Sequence, residues 1–431
     1  MDMVKDIIML NKIKIVPLAF AMLLASCAQP EEEAVPAGVT VSETTAITAA
    51  SSETTTAETT AETTTETTAV TEPPSKWHTV SFAAVGDNLI HSSIYKQAAK
   101  RSSDGGYDFT FAYENAVDLI ETADVAVINQ ETLICNDVFE PSTYPRFNSP
   151  AALGDHMLNI GFDVFTIANN HTLDKNTDGL NACLDYWESR ENAVTAGAYR
   201  NEEDKNNIRT NEVNGVTFSY LSYTESLNGL YLPADSPLII GDANNIDGIV
   251  SDIKAAEEIS DVCVVALHWG VENSDVISDH QRSYAKILAD AGADIIIGNH
   301  PHVLRDIEYI ERNDGSKALC AYSLGNFISA QSVAQNLIGG VLQFNVSAYI
   351  SDDAEKDEQP VISDVKLIPI VTHYDHGYSD VHICKLSDYT PELAEAHGVN
   401  QYSRMSYDYI INVLKLNINE EFLVLPDNAD D

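Results

Sequence analysis

Positive charge is scarce in this sequence. Lys and Arg number 24 against 66 Asp and Glu, a formal net charge of −42 at pH 7. No nucleic-acid partner is expected, because a phosphate backbone needs a basic face and the sequence has no basic cluster. Other polyanions are repelled unless cations intervene. Long apolar runs are also missing. The stretch from Ile15 to Ala25 is too short to anchor the chain across a bilayer. Preceded by Lys5, Lys12 and Lys14, it reads as a removable signal peptide. Cysteines are few and scattered: beyond Cys27 they are Cys135, Cys183, Cys263, Cys320 and Cys384. Their odd number and wide spacing match neither a disulfide framework nor a zinc site. Cys263 and Cys320 lie inside apolar runs, so buried free thiols are expected.

The segment "LASC" (Leu24 to Cys27) resembles the lipobox of bacterial lipoproteins. The resemblance implies a signal peptide over residues 1–27, lipidation of Cys27 and anchoring to the outer face of the cytoplasmic membrane. Ordinary cleavage near Ala28 would instead leave a secreted soluble protein. Either route exports the chain. Residues 28–76 are rich in Thr and Glu, as in "SETTTAETTAETTTETT", and nearly devoid of large apolar side chains. Burial cannot offset ordering entropy there, so a disordered linker is expected.

From Trp77 the pattern changes to apolar runs alternating with amphipathic stretches. "TVSFAAV", "ADVAVIN", "FDVFTIA", "VTFSYLSY", "DVCVVAL", "ADIIIG", "KALCAYSL" and "GGVLQFNVSAYI" read as strands by length and β-branched content. "YENAVDLIETA" and "HQRSYAKILADAG" read as helices between them. This alternation predicts an α/β domain with a buried sheet over residues 77–385, followed by a helical extension and tail over 386–431. The charged "SDDAEKDEQP" (Ser351 to Pro360) reads as a solvated hairpin or loop.

Chemistry gathers where the strands end. The first run is followed by Asp87 and His91, the second by Asn129 and Glu131, and the third by Asn169, Asn170, His171 and Asp174. His268 and Glu272 follow the fifth run in "HWGVE"; His300 and His302 follow the sixth in "GNHPH". Ligand crevices of open α/β sheets lie outside the carboxyl ends of the strands, so these side chains are expected to converge. Imidazoles, carboxylates and amide oxygens without thiolate suit Mn, Fe, Zn or Co. Seven potential ligands exceed the three or four of one catalytic zinc, which points to one or two divalent ions. No nucleophile elbow, phosphate loop or dinucleotide glycine pattern follows a strand. Ser323 and Asn326 in "YSLGNF" lack an adjacent base, and the spacing of His373, His376 and His382 matches no metal pattern.

The motifs "AVGDNLIH", "NQET", "GFDVFTIANNHTLD", "HWGVE", "AGADIIIGNHPHVL" and "YSLGNF" resemble the CapA (PgsA-like) family of capsule proteins, associated with poly-γ-glutamate biosynthesis. That family is similar to calcineurin-like metallophosphoesterases. The resemblance implies a four-layer α/β/β/α sandwich with two packed mixed sheets. It also implies metal ligands at Asp87, His91, Glu131, Asn170, His268, His300 and His302, a catalytic group of His171, Asp174 and Glu272, and supporting roles for Asn129, Asn169 and Asn326. Position 89 is Leu where phosphoesterases carry a histidine, which leaves His91 as the nearest candidate; Glu131 takes the place of a bridging aspartate. Three functions stay open: a surface-anchored protein of capsule synthesis, export or anchoring; a metal-dependent phosphoesterase or amide hydrolase of another envelope substrate; and a non-catalytic module. The expected partners are an anionic polymer or phosphorylated envelope substrate, capsule synthase components, and the membrane through the lipid anchor.

Overall fold

The computed structural model describes residues 76–350 and 358–426. The expected signal peptide with Cys27, the linker up to residue 75 and residues 351–357 of the charged loop lie outside the described residues. In chain order the strands are β1 (Lys76–Asn88), β2 (Val125–Asn129), β3 (Val164–Thr166), β4 (Val194–Ala196), β5 (Ala198–Tyr199), β6 (Arg209–Val213), β7 (Val216–Thr224) and β8 (Ile239–Ile240). They continue with β9 (Val262–His268), β10 (Ile295–Asn299), β11 (Leu304–Glu311), β12 (Lys317–Leu324), β13 (Asn326–Ile328), β14 (Ile338–Ile350), β15 (Val361–Asp375) and β16 (Ser379–Lys385).

Two mixed sheets form. One has the order β16-β15-β14-β1-β2-β3-β4, with β13 also pairing β1; the other has the order β11-β12-β10-β9-β7-β6. Strands β1 to β4 run parallel, as do β7, β9, β10 and β12, while β14 to β16 and the edge strands β6 and β11 are antiparallel.

Alternation along the strands builds the layers. In the second sheet Val262, Val264, Ile295, Ile297, Leu319 and Ala321 share one core with the first sheet, and the rings of Phe82 on β1 and Phe218 on β7 lie 6.0 Å apart. The intervening residues Cys263, Val265, Leu267, Ile296 and Cys320 point the other way, onto Ile249, Ile253 and Leu288 of the helices Ile246–Glu257 and Asp279–Ala291. The second of these helices begins with a Ser278–Gln281 capping box and stops at Gly292, whose φ is +125°. Helices Ser92–Arg101, Ala151–Asn159 and Asn176–Glu188 cover the other sheet, with Trp187 against Phe165 at 4.2 Å. The fold is the four-layer α/β/β/α sandwich. All five described cysteines are buried and free.

Residues 113–123 do not form the single helix expected of them. They break into Thr110–Tyr113, a 3₁₀ turn at Glu114–Ala116, and Val117–Ile120. In the extension, helix Tyr407–Asn417 buries Ile410 and Leu414, and Leu423 bridges to Leu367 on β15.

Strand β1 ends where it must pass close to another backbone. Asp87 N–H donates to Gly325 O at 2.9 Å, and a Cβ on Gly86 would meet that same oxygen at 1.8 Å. Gly325 itself sits at φ +66°. Only glycine at position 86 lets β1 deliver Asp87. A Gly86→Ala variant is expected to lose about 1–3 kcal/mol of stability, read as a lower urea midpoint at unchanged slope; an unshifted midpoint would mean that the two backbones can separate freely.

Candidate metal centre

Strand register places the polar residues at one end of the sandwich. Asp87 pairs with Asn129 on β2 and with Asn326 on β13; Asn129 pairs with Thr166 on β3. In the other sheet His268 pairs with both Thr224 and Asn299. Except for Asn326, which opens β13, each side chain named is the last or nearly the last of its strand, so the carboxyl ends of both sheets meet there.

Two donor groups result. In the first, Asp87, Glu131 and His302 are all buried, with potential ligand atoms within 4.8 Å of one another. His302 Nδ1 lies 3.1 Å from Asp87 Oδ2 and 3.0 Å from Asn326 Oδ1. Asn326 Nδ2 already faces three acceptors, on Ser329, Gln331 and Asn336, which fixes its oxygen toward His302. Nδ1–H therefore donates, and in the neutral ring Nε2 keeps the free lone pair. In the second group His268 Nε2 is 3.2 Å from Asn170 Oδ1 and 3.0 Å from His300 Nδ1. Two ligands each about 2.1 Å from one ion are separated by roughly 3.0–3.5 Å, and the contacts of His268 Nε2 in the second group have that spacing.

Glu131 lies between the groups. Its Oε1 faces His268 Nε2 at 3.8 Å and its Oε2 faces His302 Nδ1 at 3.9 Å, both too long for hydrogen bonds. Among the described residues neither oxygen has a hydrogen-bond partner, although the carboxyl is fully buried. Burial, then the charge of Asp87, pushes its pKa well above the usual carboxylate range. An unpartnered buried carboxylate costs several kcal/mol, and a divalent ion on either side would remove that cost. The residues fit the metal that their chemistry implies.

The imidazoles are shifted in opposite directions. Burial, with the charges of neighbouring histidines, holds His268 well below its ordinary pKa and His300 at about 4, so both stay in the neutral, metal-ligating form. Burial would lower His302 too, but Glu131 and Asp87 outweigh it and raise it to about 9. His300 and His302 have φ of +97° and +60°. Non-glycine residues in this region cost about 1–3 kcal/mol each and persist where surrounding contacts over-determine them. His300 N–H donates to Asp87 Oδ2 at 3.3 Å.

A second unit adjoins the donors. His171 Nδ1 is 2.7 Å from Asp174 Oδ2, and that same oxygen accepts from Phe147 N at 2.6 Å. The edge of one ring meets the face of the other where Phe147 packs on His171, at 4.7 Å. Asp174 thus fixes the His171 ring and leaves Nε2 for substrate. His171, Asp174 and the exposed Glu272 line one cavity of about 490 Å³ with Tyr144, Pro145, Arg146, Asn228 and Leu230.

Not every expected ligand joins. His91 Nδ1 contacts Leu89 O and Ala330 N, each at 3.2 Å, and its ring packs on Phe147 at 5.5 Å. It does not replace the histidine missing at position 89, where buried Leu89 stands. Asn129 Nδ2 donates to Asp87 Oδ1 at 2.7 Å and sits 3.3 Å from His268 Nδ1, linking the sheets. Asn169 shapes the turn before His171: its side chain donates to Gln130 O and accepts from His171 N. Among the described residues, Ser323 Oγ accepts from Gly325 N. His373 is buried against Tyr389 and His397, away from the donor groups. Sequence reasoning missed Asn88, Gln130 and the 142–149 loop. Gln130 Oε1 accepts from Asn88 Nδ2, and Asn88 Oδ1 accepts from the Tyr113 hydroxyl; the "NQE" and "GDN" segments held that signal.

The family described as bacterial capsule synthesis protein PGA_cap matches residues 81–331. A PGA biosynthesis protein CapA of Bacillus subtilis is 31% identical over 188 residues, covering 43% of this chain and 48% of that protein. A capsule biosynthesis protein CapA of Bacillus anthracis is 31% identical over 191 residues, covering 43% and 44%. The chain thus matches about half the length of these curated relatives. Among solved structures, a Haemophilus influenzae NAD nucleotidase is similar with a TM-score of 0.42 at 13% identity, covering 82% of this chain and 59% of that one.

Glu131→Gln separates the roles of the carboxylate. The amide removes a buried charge that has no donors, so the variant treated with chelator is expected to melt no lower than wild type. Mn or Zn at about a hundred times its dissociation constant should stabilise wild type by about 2.7 kcal/mol and leave Glu131→Gln nearly unshifted. Equal shifts in thermal denaturation would remove Glu131 from the metal site.

Proposed function

From the membership of this chain in the bacterial capsule synthesis PGA_cap family, we propose that it acts in capsule biosynthesis, export or anchoring through a metal-dependent phosphoesterase-type site, held outside the cytoplasmic membrane by a lipid on Cys27. The observation that carries the proposal is Glu131, a buried carboxylate without hydrogen-bond donors between two sets of ligand atoms. Asp87, Glu131 and His302 would hold one divalent ion, and Glu131, Asn170, His268 and His300 a second. A bound ion supplies Lewis acidity to a substrate oxygen and neutralises charge that builds there.

The chain's own groups do the rest. His171 stands at the cavity with Nδ1 held by Asp174, so its Nε2 presents a proton to a leaving oxygen. Phe147 N holds Asp174 in turn, and the Phe147 ring shields the imidazole on one face. Burial of Asp87, Glu131 and His268 keeps bulk water from screening the donors. An anionic envelope polymer or a phosphorylated envelope intermediate is the substrate class this arrangement suits; the PGA named for the Bacillus subtilis relative is one member of it.

Hydrolysis of an aryl phosphate by Mn-loaded protein should fall about 10²–10⁴-fold in His171→Ala with metal content unchanged, and should vanish together with metal in His268→Ala. Full metal loading without turnover, combined with measurable polymer binding, would replace the enzyme by a binding module. Deleting the gene in a capsulated strain is expected to reduce surface polymer; an unchanged capsule would contradict the capsule role.

A further inference from the structure

One cationic side chain faces the cavity that His171, Asp174 and Glu272 line, and it is Arg146. Six other arginines, Arg101, Arg190, Arg200, Arg209, Arg282 and Arg312, each pair with a carboxylate; exposed Arg404 is unpaired among the described residues but does not line this cavity. Among the described residues the Arg146 guanidinium has neither an ion pair nor a hydrogen bond, in a chain with 66 acidic residues to choose from. What sets Arg146 apart is its place at the cavity mouth, where an exposed, unpaired guanidinium leaves a free fork of donors available to a ligand.

The loop that carries it is fixed to the proposed machinery. Phe147 N, the next backbone donor, is bound by Asp174 Oδ2 at 2.6 Å. Arg146 O accepts from Ser142 Oγ at 2.7 Å and from Lys175 Nζ at 3.3 Å, and Ser142 bridges to Asn148 across the loop. The hydrogen bonds that orient His171 therefore also set where Arg146 starts. Asp174 and Glu272 make the remaining lining anionic, so an anionic ligand entering this cavity needs a positive contact beyond any ion held at the donor groups.

We infer that Arg146 is the anion-binding residue of this site, its guanidinium gripping an anionic oxygen group of the substrate, phosphoryl or carboxylate, beside His171. A planar guanidinium takes two oxygens of either group at once, and an ammonium cannot reproduce that fork. The inference rests on the cavity being the substrate site proposed above.

The test is calorimetric titration of the full chain with inorganic phosphate and, separately, with a γ-linked glutamate trimer. Wild type, Arg146→Gln, Arg146→Lys and the distant surface variant Lys100→Gln are compared, with metal content measured on each sample. Arg146→Gln is expected to weaken at least one anion about tenfold to a hundredfold. Arg146→Lys should recover only part of that loss, and Lys100→Gln should match wild type. The arm that responds identifies phosphoryl or carboxylate as the group held. Equal affinities in Arg146→Gln and wild type, a loss no larger than in Lys100→Gln, or no binding of either anion by wild type would each overturn the inference. A protein that takes up no metal yet binds anions through Arg146 would overturn the metal-site reading alone; normal metal content with Arg146-independent binding would overturn this one alone.

Discussion

A carboxylate buried without donors is the constraint around which this end of the molecule is arranged. Glu131 has no hydrogen-bond partner among the described residues, and one of its oxygens faces His268 while the other faces His302. Left to protein groups alone, that charge would have to be neutralised by a proton. Neutral imidazoles on one side and a carboxylate–imidazole pair on the other make cations the better partner, because each ligand atom then gains a charge-assisted contact.

The rest of the fold serves this convergence. Each sheet alone could supply only part of the donor set: Asp87, Glu131 and Asn170 come from the first, His268, His300 and His302 from the second. Packing their inner faces through residues such as Phe82, Phe218, Val264 and Ile297 sets the distance between them. Gly86 and Gly325 allow two backbones to touch where β1 ends, and the left-handed conformations of His300 and His302 turn two imidazoles from one short loop toward the same place. Strain is stored where function needs geometry that regular structure does not provide.

Much of this was legible in the sequence, and the exceptions have physical reasons. Long β-branched runs such as "DVCVVAL" announce buried parallel strands, and the polar residues after them converge because strand ends share one edge. Strand β4 is three residues long, and β15 carries Pro369 and mixed polarity, so neither has a clear period. The Glu114–Ala116 break could not be read because helical spacing persists across it. His91 looked like a ligand by proximity in sequence to Asp87, yet backbone contacts to Leu89 and Ala330 hold its ring elsewhere. Arg146 was invisible for a different reason: it lies far along the segment after β2, and Phe147 beside it is tied to the site through Asp174 and the His171 ring, contacts between residues distant in sequence.

Anomalous X-ray diffraction from crystals of the protein grown with Mn tests the central claim most directly. The account predicts one or two peaks at the carboxyl ends of the two sheets, each about 2.0–2.3 Å from a Glu131 oxygen and shared with Asp87 and His302 or with Asn170, His268 and His300. Well-ordered density with the Glu131 carboxylate placed as described and no anomalous peak beside it, at Mn concentrations that label other sites, would contradict it.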